Sequence, residues 1–488
     1  MRKLWCAIVI MATALPAAGQ SAVGPTLSLD EALSLAKANN PTYLQSYNNR
    51  RRMDANLRVA RGNFLPGANT NFGTQYRQGL QQYFYGEAFG SNSDLLSSSW
   101  GLNLTANLSP SYFSTLRAAR SSVSAADADI TTADQSLRLN VTRQYFLVLE
   151  DEAQALLQDT LVALNQLQLE LANAKVGVGS ATSLDVKRAQ VALGTQQVAA
   201  LRARNTEAVD MIGLFQNIGI PSQEHVRLTT VPAVVEPKFD LNQLMTMAKH
   251  SNPTLRGLTA RVEAANQTLN SQRGQYYPSL GFTGSIGGYS QQYMNNNYLV
   301  TQAQQSLATE QSECYSTDSL RRGAGLSGLP YCSTLMLSPA QAQQLRAQNQ
   351  TFPFKFTSNP YTLNLQLSLP LFNGFQREQA IESSSADQSD ANYNLKAAEV
   401  NLTANVSSAN VTLVVDYQAW KLQEQNSLAA REALQLAEER YRVGLNSLVD
   451  LQQARSDYET AEAGRINAVF EFHRAFATLE SVVGRSLR

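Results

Sequence analysis

The residues most able to do chemistry are two aspartates that occur in the same local setting. The stretch "VGVGSATSLDVKRAQ" (176–190) places Asp185 six residues after Gly179, and "YRVGLNSLVDLQQAR" (441–455) places Asp450 six residues after Gly444. A glycine that interrupts a helical pattern, followed by polar residues and a new helical run, predicts a helix end, a turn and a new helix. In the first turn of that new helix a carboxylate interacts favourably with the helix dipole. A further role for the two carboxylates depends on where the longer elements place them.

No set of residues predicts an enzyme or a cofactor site. The histidines His225, His250 and His473 are isolated along the chain, which argues against a metal site. The stretch "GAGLSG" (323–328) has the spacing of a dinucleotide-binding turn, but no predicted strand precedes it and no helix opens after it. The 39 basic and 39 acidic residues cancel, so the chain has no electrostatic footprint for nucleic acid. We therefore expect no catalysis, no cofactor, no metal and no nucleic-acid partner.

The N-terminus has the three-part layout of a secretory signal. The stretch "MRKLWCAIVIMATALPAAGQ" combines a basic start, an apolar run and small residues after Pro16. Its apolar run is too short to span a bilayer as a stable anchor. We predict that residues 1–19 are a signal peptide and that cleavage occurs near Gly19.

Removal of the signal leaves two cysteines, Cys314 and Cys332. Two remaining cysteines close together in an exported chain predict a disulfide. The alternative is a pair of free thiols in a mobile loop.

Several markers recur in the same order, which indicates a duplicated unit. The stretch "AKANNPT" (36–42) returns as "AKHSNPT" (248–254), "LNL" (102–104) returns at 363–365, and the two glycine turns follow. The offsets between partners are 212, then about 260, then 265 residues. The increase between the first two assigns a long insertion, with both cysteines, to the second half.

Each half contains two strands with one apolar and one polar face. In "LNLTANLS" (102–109) and "YTLNLQLSL" (361–369), leucines alternate with amides and hydroxyls. Aromatic residues flank these strands, and the chain is exported, so we predict transmembrane barrel strands with leucines facing lipid and amides facing a wet lumen. Four strands cannot close a barrel in a membrane, so the barrel must be shared by two or three chains. A soluble sheet would also explain the alternation.

A very long helical stretch follows each strand pair. No proline occurs between Pro110 and Pro221 or after Pro370. Apolar residues recur at helical spacing in both stretches, which is typical of coiled-coil packing. These residues are Leu157, Leu161, Leu164 and Leu171 in the first stretch, and Phe472, Phe476, Leu479 and Val483 in the second.

The predicted organisation is therefore a signal peptide followed by two repeats. The first repeat, 20–238, contains a helix, a strand pair at about 64–110, a helical hairpin at about 112–217 and a linker at 218–238. The second, 239–488, contains a helix, a strand pair at about 276–371 with an external insertion at about 295–355, and a helical hairpin at 374–484.

This duplicated order, with "PLFNGF" (370–375) and "YRVGLNSLVDLQQAR" (441–455), resembles the TolC-like outer membrane efflux protein family. The resemblance implies an α+β membrane protein in which each chain contributes four transmembrane β-strands to a shared trimeric twelve-stranded barrel, continued by a periplasmic α-helical coiled-coil barrel. It implies a passive exit duct in the outer membrane for tripartite efflux or type I secretion, and not an enzyme. The implied partners are a periplasmic adaptor, an inner-membrane pump or ABC transporter, and outer membrane lipid. The alternative is a secreted periplasmic coiled-coil scaffold with a small soluble sheet.

The resemblance also implies roles for the two glycine turns. They would form the periplasmic tip, where the adaptor docks and where the duct is closed at rest. The docking residues would be Val178, Gly179, Val443, Gly444 and Leu445.

At the implied gate, Asp450 would form an acidic ring in the trimer, although Gln453 stands where the family has a second aspartate. Tyr441 matches a tyrosine that bonds across to an acid at the position of Asp185. Asn446 stands where the family has a partner arginine. We therefore expect a weaker lock, or one made by other residues.

Overall fold

Two long helical hairpins of matching length dominate the protein. The computed structural model describes residues 24–85, 87–90, 93–223, 226–230 and 233–487. The predicted signal peptide, residues 1–19 with cleavage near Gly19, lies outside the described residues.

The described elements follow the same order in both halves, apart from the segments between the strands. The first half contains β1 (Thr26–Leu27), α1 (Leu29–Asn39), α2 (Pro41–Gly62), β2 (Gly67–Arg77), β3 (Gln81–Phe84), β4 (Glu87–Gly90), β5 (Leu95–Leu108), α3 (Ser111–Gly177) and α4 (Ser183–Ile218). The second half contains β6 (Arg227–Leu228), α5 (Leu241–Ser251), α6 (Pro253–Arg273), β7 (Ser279–Tyr293), α7 (Tyr298–Gly323), α8 (Pro339–Gln348), β8 (Thr357–Ser368), α9 (Gln376–Arg442) and α10 (Leu448–Val483).

The helix lengths follow the duplication. Helices α3 and α9 each have 67 residues, and α4 and α10 each have 36. Helix α1 begins with a capping box of Ser28 and Glu31, and it ends where Asn40 has an extended backbone before Pro41. Asn252, before Pro253, has the same conformation at the end of α5. In the described part of the chain, none of the helices has both the length and the apolar character needed to cross a membrane.

The chain divides into two units. The helical unit consists of the described parts of Met1–Ala55, Ala119–Ala265 and Ala386–Arg488. The sheet unit consists of Asn56–Ala118 and Asn266–Ser385.

The helical unit has its core in two large apolar clusters. The first surrounds Tyr145 and Phe146 of α3, which are fully buried. The second is formed largely by α9 and α10, around Leu413, Phe472 and Leu479. The predicted apolar stripes, apart from Leu171, therefore face these cores, as coiled-coil packing requires. Strands β1 and β6 form a short parallel pair in this unit.

The sheet unit contains a four-stranded antiparallel sheet in the order β2-β5-β7-β8. Because successive side chains of a strand point to opposite faces, the register decides which residues share a face. Leu104 lies opposite Ala68 on β2 and Gly284 on β7, and Gly284 lies opposite Leu363 on β8. The alternating leucines of the sequence therefore line one face of the sheet.

The segments between the paired strands contain structure that the sequence did not predict. Strands β3 and β4 form a separate hairpin between β2 and β5. The insertion in the second half contains α7, α8 and a 3-10 helix at Pro330–Thr334. A disulfide joins Cys314 on α7 to Cys332 in the 3-10 helix, with the two Cα atoms 5.6 Å apart.

Candidate pore face and channel tip

One face of the four-stranded sheet carries amide and hydroxyl side chains. Asn103 on β5 lies opposite Asn69, and its Nδ2 donates to Oδ1 of Asn71 at 3.3 Å. Ser285 and Thr362 share a hydrogen bond of 2.5 Å between their hydroxyls. These groups are uncharged and hydrogen-bond readily, so this face is suited to contact water.

The opposite face is apolar and exposed. Leu363, Leu365 and Leu367 on β8 are 67%, 68% and 70% exposed, and Leu102 and Leu104 on β5 lie on the same face. A continuous exposed apolar surface of this kind marks an interaction site rather than a surface in contact with water. A sheet with one apolar and one polar face has the pattern of a transmembrane barrel wall.

Aromatic residues form clusters at two levels along the sheet strands. Just outside the ends of β2 and β5, the ring of Phe64 lies 5.1 Å from that of Phe113. Further along the strands, the ring of Phe72 lies 6.1 Å from that of Phe354. Two aromatic levels of this kind are typical of the two membrane interfaces of a barrel.

Both glycine turns have the geometry that only glycine adopts without strain. Gly179 has φ of +74° and Gly444 has φ of +81°. In both turns the N–H of the residue after glycine donates to the carbonyl five residues earlier, at 2.9 and 2.8 Å. This bonding closes the ends of α3 and α9 as Schellman motifs.

Asp185 and Asp450 are both part of capping boxes. Thr182 donates from Oγ1 to Asp185 at 2.7 Å, and Ser447 donates from Oγ to Asp450 at 2.8 Å. The backbone and side-chain hydrogen bonds from Thr182 lower the pKa of Asp185 below its ordinary value. The pKa of Asp450 is lowered by the side-chain and backbone hydrogen bonds from Ser447. Both carboxylates are therefore ionised at neutral pH, and both start their helices.

The other residues singled out for the gate have separate contacts. The ring of Tyr441 is 6% exposed, and no hydrogen bond joins it to Asp185 in the described part of the chain. Gln453 donates from Nε2 to Asp457 at 2.8 Å, and Asn446 lies in the turn between α9 and α10. Instead, the Nζ of Lys175 lies 3.8 Å from the centroid of the Tyr441 ring. The sequence did not reveal Lys175, because it is 266 residues from Tyr441 and has no local motif.

The apolar residues of both turns point away from the core. Val178, Val443 and Leu445 are 80%, 65% and 72% exposed. Exposed valine and leucine at the end of a hairpin indicate a surface that another molecule covers.

Comparison with known proteins identifies the family. The family model described as "Outer membrane efflux protein" matches residues 32–219 and 335–485, which together exceed half of the 488 residues.

The chain belongs to the outer membrane efflux protein family.

Solved structures of outer membrane channels share its fold. The CmeC channel of Campylobacter jejuni matches with a TM-score of 0.71 and 15% identity, over 93% of this chain and 85% of that chain. VceC of Vibrio cholerae matches with a TM-score of 0.70 and 14% identity, over 94% of this chain and 97% of that chain. The open state of the MtrE channel of Neisseria gonorrhoeae matches with a TM-score of 0.67 and 17% identity, over 94% of this chain and 89% of that chain.

The predicted fold class is confirmed: a duplicated α+β membrane protein whose four strands belong to a shared barrel, continued by an α-helical barrel. The protein is an outer membrane efflux channel, and its helical barrel lies in the periplasm. The periplasmic scaffold alternative is not favoured. Members of this family are channels rather than enzymes, and they work as trimers within tripartite efflux systems.

The channel also has an acidic seam between α3 and α4 that sequence reasoning missed. Burial, the adjacent carboxyl of Asp210 and the charges of Glu150 and Glu207 raise the pKa of Asp151 from 3.8 to about 7. Asp210 accepts a hydrogen bond from Nε2 of Gln144 at 3.2 Å. Two facing carboxyls of this kind share a proton more easily than both ionise.

The free energy of unfolding should fall as rising pH removes the proton of Asp151. Between about pH 4 and 7 the folded state retains the Asp151 proton whereas the unfolded state releases it, so this stabilisation is lost progressively across that range and is absent above pH 7. We expect Asp151→Asn to stabilise the channel at pH 8 by about 1 kcal/mol, after allowance for solvent screening, and to have little effect at pH 4. Thermal unfolding of the detergent-purified protein at both pH values measures this difference. Glu170→Gln, an exposed change on α3, is the control, and equal shifts at both pH values would contradict the assignment.

Proposed function

We propose that three copies of this chain form a passive exit duct that receives substrate from an inner-membrane pump through a periplasmic adaptor. In the described part of the chain, the outer strands β2 and β8 each pair with one other strand. Their free edges cannot remain unsatisfied in lipid, so they must pair with other copies. Four strands from each of three copies give a closed barrel of twelve.

The observation that carries this proposal is the division of the sheet into a polar and an apolar face. The polar face offers uncharged amides and hydroxyls such as Asn103, Asn364 and Thr283. Solutes pass through a water-filled pore with uncharged walls without binding tightly to it, so the selection of substrate would be made by the pump. No step of this kind requires a chemical reaction, and we propose that the chain has no enzymatic activity.

The proposed adaptor site is the periplasmic tip. It comprises the exposed turn residues Val178, Gly179, Val443, Gly444 and Leu445. Near them, a groove of about 640 Å³ runs between α3, α4 and α10. Leu184 and Val191 give it apolar walls, and Lys187 and Arg188 give it positive charge. Arg455, which is paired with Glu438, and Glu459 complete its lining. An amphipathic helix with an acidic flank fits such a groove, which supports docking of a helical hairpin.

The proposed gate is the ring of three Asp450 carboxylates. Asp450 is exposed and ionised beside Gly444. For the gonococcal relative an open state has been crystallised, and we propose that the tip of this channel also closes and opens. Three like charges in a narrow closed tip repel one another and attract cations.

Planar bilayer recording of the purified trimer tests the duct. We expect protein extracted with detergent from outer membranes to give steady ionic currents, with every channel showing the same single-channel conductance. Protein released in soluble form with the periplasmic contents, or trimers that never conduct, would contradict the proposal.

Replacement of Asp450 by asparagine should reduce the cation preference of these currents. Asparagine retains a side-chain oxygen that can accept the hydrogen bonds donated by the Ser447 N–H and Oγ, but it removes the charge, so the helix start is preserved. We expect the ratio of cation to anion permeability to fall about twofold or more. Asp390→Asn removes the same charge from α9 outside the turn and should leave the ratio unchanged. A ratio that is unaffected by Asp450→Asn would exclude the acidic ring.

A further inference from the structure

Lys175 connects the two hairpins of one chain at their turns. It lies in the last helical turn of α3, and its Nζ donates to the backbone carbonyl of Tyr441 at 2.8 Å. The same Nζ lies 3.8 Å from the centroid of the Tyr441 ring. One ammonium group therefore contacts both the backbone and the ring of a residue in the other hairpin.

Two physical effects favour this contact. The carbonyl of Tyr441 belongs to the last turn of α9, where the helix dipole is negative and attracts a cation. The face of an aromatic ring also attracts an ammonium ion. The same carbonyl accepts the N–H of Gly444 at 3.2 Å, so Lys175 is bound to the glycine turn itself.

An apolar cluster fixes the position of Tyr441. Its ring packs with Leu434 on α9 and with Leu448 and Leu451 on α10. Leu171, one turn before Lys175 on α3, packs against this cluster. Movement of the α9–α10 turn away from α3 would therefore break the two Lys175 contacts and uncover the Tyr441 ring.

The duplication does not repeat this contact. At the 265-residue offset of the two turns, Lys175 corresponds to Arg440 and Tyr441 corresponds to Val176. Arg440 is exposed, and valine has no ring for a cation to contact. The lysine of the first hairpin therefore contacts the second hairpin, and the equivalent residues of the second hairpin make no matching contact with the first.

We infer that Lys175 is the latch of the resting tip, in place of the tyrosine hydroxyl and arginine contacts that the resemblance suggested. Asp185 is occupied by Thr182, and Asn446 carries no charge. The latch rests on the proposed function, because it regulates the gate assigned to this tip. It acts on the backbone and ring of Tyr441 and does not use the hydroxyl.

The test compares three variants in planar bilayers. Lys175→Met keeps the apolar stem and removes the ammonium, so we expect the open probability to rise about fivefold, as loss of a cation–π contact and its hydrogen bond predicts. Lys175→Arg retains a cation and should stay close to the wild-type protein. Lys421→Met is the matched control, since Lys421 is an exposed lysine of α9 that lies outside the two turns and outside the proposed adaptor groove.

Tyr441→Phe separates the latch from a hydroxyl lock without disturbing the fold. It retains the ring and the carbonyl, so the open probability should equal that of the wild-type protein. An increase with Tyr441→Phe, or none with Lys175→Met, would overturn the latch. A wild-type trimer that does not conduct would instead refute the proposed function, so the two failures can be distinguished.

Discussion

Replacement of Gly219 by alanine is expected to destabilise the helical unit strongly. Gly219 ends α4 with φ of +90°, and a Cβ there would lie 2.8 Å from the carbonyl oxygen of Asn39. The positive φ alone costs alanine about 1–2 kcal/mol. The Cβ would also meet the Cα of Asn40 at 2.9 Å, so the backbone must move. We expect a total loss of roughly 3 kcal/mol or more, measured as a lower melting temperature and a lower yield of the purified trimer.

Gly194 provides the matched control. It lies inside the same helix, and a Cβ there would meet nothing within 4 Å. Alanine at this position should be neutral or should stabilise the helix by up to about 1 kcal/mol. Similar melting temperatures for Gly219→Ala and Gly194→Ala would show that the close approach at Gly219 has no energetic consequence.

The close approach at Gly219 also explains a marker of the sequence duplication. Asn40, in "AKANNPT", donates from Nδ2 to the carbonyl of Asn217 at 2.8 Å, near the end of α4. Asn252, in "AKHSNPT", donates in the same way to Val482 at 3.1 Å, near the end of α10. The repeated asparagine closes a helix end in both halves. The sequence showed the repeat, but the partner carbonyls are 177 and 230 residues away and no local pattern points to them.

The strands and long helices could be predicted because the spacing of their apolar residues decides which side of each element is apolar. Leucines at every second residue of β8 must share one face, and the two long helical stretches contain no proline that would interrupt a helix. Helices α7 and α8 lacked such a signal. They begin at Tyr298 and Pro339 in polar, glutamine-rich sequence, and they bury few of their own residues. Their positions depend on the disulfide and on caps such as Ser338, which became informative only in the folded chain.

The candidate gate was predictable in part for the same reason. Gly179, Gly444 and the capping aspartates are local devices, so the sequence around each turn is enough to find them. Contact between the two turns is not local. Lys175 and Tyr441 meet only because two separate hairpins pack together, which is why the sequence indicated a missing lock but not the residue that replaces it.

A second large effect is expected for Tyr145→Phe, which removes one oxygen atom from the core of the helical unit. The hydroxyl of Tyr145 donates to the carbonyl of Leu27 at 2.9 Å. It also accepts the N–H groups of Thr229 and Thr230 at 3.0 and 2.9 Å. Tyr145 is fully buried. One hydroxyl therefore satisfies three backbone groups beside the β1–β6 pair.

Phenylalanine fills nearly the same volume but leaves those three groups without this partner. The Leu27 carbonyl and the Thr229 N–H keep their mutual hydrogen bond of 3.2 Å, so the Thr230 N–H is the group that loses its partner. One unsatisfied buried group costs about 1–3 kcal/mol, and we expect Tyr145→Phe to destabilise the protein by that amount. Because Thr229 and Thr230 belong to the segment between the two halves, we also expect faster proteolysis within residues 218–238. Melting temperature and limited proteolysis of the purified trimer measure both effects. Tyr417→Phe is the control, because the half-buried hydroxyl of Tyr417 makes no hydrogen bond within the described chain. If the two variants melt alike, the three bonds of Tyr145 contribute no net stability, and packing alone holds β1 and β6 against α3.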